Sequence, residues 1–118
     1  MSTNYQIILT TCPDQKSAEN LAGKLVDGQS AACVNIVPGL TSIYPWQGEI
    51  ATSQEYLLLI KTHKDRYAAV EQIIRDNHPY ELPEIIAVSV QRGSSDYLHW
   101  IDSCLVQPHS LTNTDTRR

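Results

Sequence analysis

From Ala32 to Lys61 the chain runs for about 30 residues without a helical period, and this length limits the possible folds more than any other feature. The segment holds Ala32-Cys33-Val34-Asn35-Ile36-Val37, then Leu40 to Trp46, then a return from Ile50 that is strongest over Tyr56-Leu57-Leu58-Leu59-Ile60-Lys61. Gln47-Gly48-Glu49 between the two β-rich runs predicts the tip of a hairpin. Pro38 and Pro45 lack ladder donors, so the first strand is expected to bend and to lie outside the centre of a sheet. The apolar run through Ile60 predicts a second strand buried on both faces. Strands usually need only about five or six residues, so this hairpin is far longer than a small sheet requires. An exposed edge of such length is an aggregation hazard unless it is paired on purpose, and oligomerisation through the hairpin and the sheet is therefore expected.

The flanking segments complete a pattern. Tyr5 to Cys12 is β-rich and stops at Pro13-Asp14; Asp14 is a candidate N-cap for a helix over 14–27, whose apolar stripe is Ala18, Leu21, Ala22, Leu25 and Val26 before Gly28. After the hairpin, Thr62 is a candidate cap, with Asp65 three residues on, for a helix that buries Tyr67, Val70, Ile73 and Ile74 and ends near Asn77. A last strand is expected over Glu84–Gln91, followed by a turn at Gly93 and a helix carrying Leu98, Ile101 and Leu105. The order β-α-β-β-α-β plus a terminal helix predicts an α+β, ferredoxin-like split βαβ fold, as one domain over 1–106. Residues 107–118 are polar, without a period, and are expected to be a disordered tail. Two helices cover one face of such a sheet and leave the other bare.

Charge and composition exclude several functions. The balance of 9 Lys and Arg against 13 Asp and Glu lacks the clustered cations of a nucleic-acid surface. No segment approaches the roughly 18 apolar residues of a membrane span. The start Met1-Ser2-Thr3-Asn4-Tyr5 has no basic stretch followed by an apolar one, and Cys12, Cys33 and Cys104 are odd in number and widely spaced. A cytoplasmic protein with reduced thiols is expected.

The polar chemistry gathers in His78-Pro79-Tyr80-Glu81-Leu82-Pro83-Glu84, a connector that its two prolines stiffen. Thiolate and imidazole suit copper and zinc, which makes Cys12 and His78 the candidate metal ligands. A lone Cys on a strand is more often a small buried hydrophobe, and the alternative for His78 is a cap on the second helix. Lys61, at the end of a buried strand, needs a counter-charge that Glu81 or Glu84 could supply. With Tyr80, these residues form either a structural ion pair or a grip on a small anionic or zwitterionic ligand at a subunit boundary. Trp46 and Trp100 are expected to pack subunit contacts. No GxSxG, P-loop, HExxH or dinucleotide fingerprint is present, and the spacing of Glu81 and Glu84 is nonspecific, so no enzyme is expected.

Thr11-Cys12-Pro13-Asp14, Ala31-Ala32-Cys33-Val34-Asn35-Ile36, Pro38-Gly39, Ser42-Ile43-Tyr44, Trp46-Gln47-Gly48, Leu58-Leu59-Ile60-Lys61-Thr62, His78 to Ile85 and Tyr97-Leu98-His99-Trp100-Ile101 together resemble the CutA divalent-ion tolerance proteins over residues 5 to about 105. The resemblance implies a homotrimer of ferredoxin-like subunits, similar in architecture to the PII signalling proteins, with clefts between subunits. It also implies an association with copper or another divalent cation. Family members with copper sites carry a cysteine where this chain has Thr10 and a second histidine where it has Asn77. Thr10 and Cys12 share a strand face, so Cys12 is the candidate replacement. The other function this architecture implies is a PII-like sensor or scaffold that binds a metabolite or a partner protein at the clefts.

Overall fold

The structure is a computed structural model that describes residues 3–105. The tail expected over 107–118 lies outside the described residues. Seven main elements follow in order: β1 (Tyr5–Cys12), α1 (Gln15–Asp27), β2 (Cys33–Trp46), β3 (Glu49–His63), α2 (Tyr67–Asn77), β4 (Ile86–Ser89) and α3 (Ser95–Cys104). The strands form one antiparallel sheet in the order β2-β3-β1-β4, the ferredoxin-like arrangement.

Local chemistry sets most of the boundaries. The Asp14 carboxylate accepts the Ser17 N–H at 2.7 Å and opens α1. That helix closes at Gly28, but the left-handed residue that turns the chain away is Gln29, with φ at 58°. Gln47 and Gly48 both have positive φ, 51° and 81°, which gives the hairpin the type I′ geometry that matches strand twist. Pro38 and Gly39 stand opposite Tyr56 alone, a bulge that shifts the register between Val37 and Leu40. Both prolines of β2 lie on an edge strand, where a missing N–H costs little.

Two boundaries differ from expectation. Thr62 does not cap a helix: β3 continues through it to His63, and its buried hydroxyl donates to the Ser30 carbonyl at 2.6 Å. The cap is His63, whose Nδ1 accepts the Asp65 N–H at 3.1 Å and starts a 3-10 turn over Lys64–Arg66 ahead of α2. The last strand is shorter than 84–91, because its ladder partners on β1 run only from Gln6 to Leu9. Backbone bonds from Thr3 N–H to Val90 O and from Val90 N–H to Tyr5 O, each 3.0 Å, extend the pairing at one end.

The core lies between the sheet and α1 and α2. Ile8, Cys12, Leu58 and Ile60 from the strands meet Ala18, Leu21 and Leu25 of α1 and Val70 and Ile74 of α2. Thr10 is fully buried on this same face, and its hydroxyl finds no partner among the described residues. Replacing Thr10 with Val removes an unsatisfied polar atom at constant shape, so a gain of about 1 kcal/mol in unfolding free energy is expected from urea titration. A Thr10→Val protein that is less stable would mean that the hydroxyl is hydrogen-bonded.

The opposite face of the sheet is covered at one end only. There α3 and the chain after it bring Ile101 and Leu105 against Ala32, with Tyr5, Tyr97, Leu98 and Trp100 around them. Tyr5 Oη donates to the Asp102 carboxylate at 2.6 Å, and the Arg66 guanidinium donates to the Leu105 carbonyl. Beyond α3 the face is open: Leu57 and Leu59 are half-buried, and Val37, Ile86 and Val88 are 41%, 51% and 48% exposed. Burial of the apolar run in β3 on both faces is thus only partial within the chain.

Candidate functional site

The end of β1, the middle of β3 and the connector after α2 converge on one cluster. Residues 66 apart in sequence meet there: Cys12 Sγ lies 3.8 Å from His78 Nε2. His78 Nε2 is also 2.7 Å from the Thr11 carbonyl, and Nδ1 accepts the Tyr80 N–H at 3.0 Å. An acceptor at Nδ1 and a carbonyl at Nε2 together select the neutral ring with its proton on Nε2. His78 therefore ties the connector to β1. It is also the residue that follows α2, and its N–H bonds to the Ile74 carbonyl.

Tyr80 makes the second tie. Its hydroxyl donates to Glu55 at 2.7 Å, and its ring lies 4.9 Å from the His78 ring, tilted by 47°. Burial first and the Glu55 carboxylate second hold the Tyr80 phenol well above its ordinary range. Glu55 itself is only 7% exposed, and reading the sequence had not singled it out. Alternation along β3 could have placed it on the face of Leu57 and Leu59, but nothing local marks a Glu as buried. On the outer ribbon, Tyr44 Oη meets Ser53 Oγ at 2.5 Å.

The other candidates are dispersed. Lys61 does not pair with Glu81 or Glu84; its ammonium is 3.4 Å from Tyr97 Oη and 5.6 Å from the centroid of that ring, on α3. It lies six residues from Glu55 along β3, about 20 Å at the rise of an antiparallel strand. Lys61 and Tyr80 thus share no cleft within one subunit. Glu81 and Glu84 are exposed, and Trp46 projects from the ribbon at 61% exposure. Asn77 donates to the Ile73 carbonyl at 2.8 Å. A groove of about 390 Å³ lies elsewhere, between the end of α1 and α3, with Val26, Asp27, Gln29, Trp100 and Cys104 among its walls.

The cluster has the spacing of a two-donor contact to a soft metal ion. A separation of 3.8 Å lets one soft ion touch both Sγ and Nε2. Yet burial pushes the Cys12 thiol up to about 11; a Ser17 hydrogen bond opposes this, and the Asp14 and Glu55 charges add to it. His78 has both ring nitrogens engaged. Among the described residues no group of three or more His, Cys, Asp or Glu is placed to hold a metal ion. A soft ion bound by this pair would displace the thiol proton.

The raised thiol gives stability a pH dependence. Its ordinary value is 9, so between pH 9 and 11 the unfolded chain loses a proton that the folded chain keeps. The corresponding stability is complete below pH 9 and lost as pH rises through about 11. Cys12→Ala removes packing at all pH values, but its stability is expected to fall less over this interval, by up to roughly 2 kcal/mol. Parallel pH curves for the two proteins would contradict the buried, neutral thiol.

A four-stranded antiparallel sheet with two helices on one side, a third across one end and a projecting ribbon defines the ferredoxin-like α+β class. Residues 6–104 match the family described as CutA1 divalent ion tolerance protein. A divalent-cation tolerance protein CutA from Thermus thermophilus is 45% identical over 96 residues, which span 81% of this chain and 93% of the relative. A CutA crystal structure from Xylella fastidiosa superposes with a TM-score of 0.86 at 44% identity, covering 88% of this chain and all of that one. A structure from Archaeoglobus fulgidus, described as a periplasmic divalent cation tolerance protein CutA, gives 0.84 at 33% identity, covering 86% and 99%. The chain belongs to the CutA1 divalent ion tolerance family.

Proposed function

We propose that this chain works as a homotrimeric divalent-cation tolerance protein that takes up copper as exchangeable cargo at Cys12 and His78, without enzymatic chemistry. The observation that carries the metal reading is the approach of a thiol and an imidazole from distant segments to 3.8 Å. A soft, two-donor contact of this kind favours copper over hard divalent ions. The trimer reading is supported by the half-exposed apolar face around Val37, Ile86 and Val88 and by a ribbon that exposes Ile43, Trp46 and Ile50. The free thiols of Cys12 and Cys33 support a reducing, cytoplasmic location. No helix among the described residues is long and apolar enough to cross a membrane.

Native mass spectrometry with copper added under reducing conditions tests the metal reading. About one copper per subunit is expected, with at least a tenfold loss of affinity in both Cys12→Ala and His78→Ala. Unchanged uptake in both variants would assign copper to other groups, such as the exposed His99. A second reading, a PII-like sensor that binds a small metabolite or a partner protein, draws on the open face, because a cleft lined by both Lys61 and Tyr80 would exist only between subunits. Stabilisation of the wild-type protein by a metabolite, lost in Tyr80→Phe and Lys61→Met, would favour it.

A further inference from the structure

Among the described residues, two charges on the sheet face turned away from α1 and α2 lack opposites: Glu55 on its open part and Lys61 beside α3. Glu55 is buried, and its carboxylate accepts the Tyr80 hydroxyl. Lys61 is half-buried, and its ammonium meets the Tyr97 hydroxyl and ring. The ion pairs among the described residues are His63 with Asp65 and Arg75 with Glu71, so neither Glu55 nor Lys61 has a partner of opposite sign. Taking a charge out of water is costly unless an opposite charge compensates it.

Six is an even number, so Glu55 and Lys61 project from the same face of β3, on either side of Leu57 and Leu59. Their separation of about 20 Å prevents them from meeting within one chain. The anionic end of this apolar face is complementary to the cationic end of the same face on another copy, so each copy can offer its Glu55 end to one neighbour and its Lys61 end to the other. Such heterologous contacts close into a ring when the rotation between copies closes, as it does for three copies about a three-fold axis. The exposed Val37, Ile86 and Val88 lie on the same face, on the strands that flank β3 and β1.

We infer that Glu55 of each subunit pairs with Lys61 of the partner subunit across the open face, so that the Glu55–Tyr80 site is completed by a cation from a second copy. The inference rests on the trimer proposed above and identifies the charges that orient its interface. The partner is a second copy because the chain carries both halves of the pair and cannot join them itself.

Charge exchange tests this, with native mass spectrometry and subunit-dissociation measurements on wild type, Glu55→Lys, Lys61→Glu and the double exchange. Each single reversal is expected to weaken association by roughly a hundredfold or more, and the double exchange to recover to within about tenfold of wild type. A double exchange no better than the sum of its single changes overturns the pair, while a trimeric wild type leaves the assembly intact. A monomeric wild type overturns both readings at once. Should the reversed chains not fold, the neutral variants Glu55→Gln and Lys61→Met keep the side-chain volumes. Removing both partners is then expected to cost no more than removing one, and additive losses overturn the pair.

Discussion

Val88→Asp is expected to turn the proposed trimer into monomers at micromolar concentration, while leaving each chain folded. Val88 lies on β4 opposite Ile7 and is 48% exposed in the isolated subunit, so an aspartate there keeps much of its contact with water. The same aspartate in a closed interface would lose that water without gaining a partner. The penalty for a buried, unpaired ion is several kcal/mol, about 3 kcal/mol or more per subunit, or over a hundredfold in association. Ile86→Asp, two residues away on the same face, is expected to act alike, and Ala87→Asp, on the other face of this edge strand, much less. Sedimentation separates these outcomes. A Val88→Asp protein that still sediments as three subunits would show that the open face is not the contact.

Leu58→Ala is expected to lower the stability of the subunit itself by about 3 kcal/mol, within the usual range for deleting a fully buried leucine. Leu58 has no exposed surface and sits in the cluster that β1 and β3 form with α1 and α2. Tightly packed helices cannot collapse into the space, so lost burial and the residual cavity both count. Its neighbour Leu59 points to the open face, where it is half-buried. Leu59→Ala is therefore expected to cost the isolated subunit much less and to loosen assembly instead. Urea unfolding with sedimentation on both variants checks the contrast. Equal effects of the two on both readouts would mean that the faces are not distinct in kind.

Much of this architecture was legible because local chemistry and long-range packing agree. The alternation in β1, the Asp14 cap, the Gln47-Gly48 turn and the proline-marked bend in β2 each have a local cause, and each recurs in the fold. Thr62 was misread as a cap because a threonine before a polar run favours a helix start, whereas its actual bond reaches back 32 residues to Ser30. Such a contact leaves no trace in neighbouring residues. The candidate site was legible in part. Cys12 and His78 do meet, because the stiff connector returns along the end of β1. Lys61 turned instead to Tyr97, and Tyr80 found Glu55, a residue that carries no local sign of burial. Pairing between strands decided both outcomes, and charge type alone could not have done so.

In the proposed trimer, one face of the sheet is closed by other copies of the same chain. Native mass measurement of the purified protein across low-micromolar concentrations tests it most directly. Three subunits of 13.2 kDa in one particle, persisting on dilution, are the expected result. A stable 13.2 kDa species throughout that range would contradict the claim.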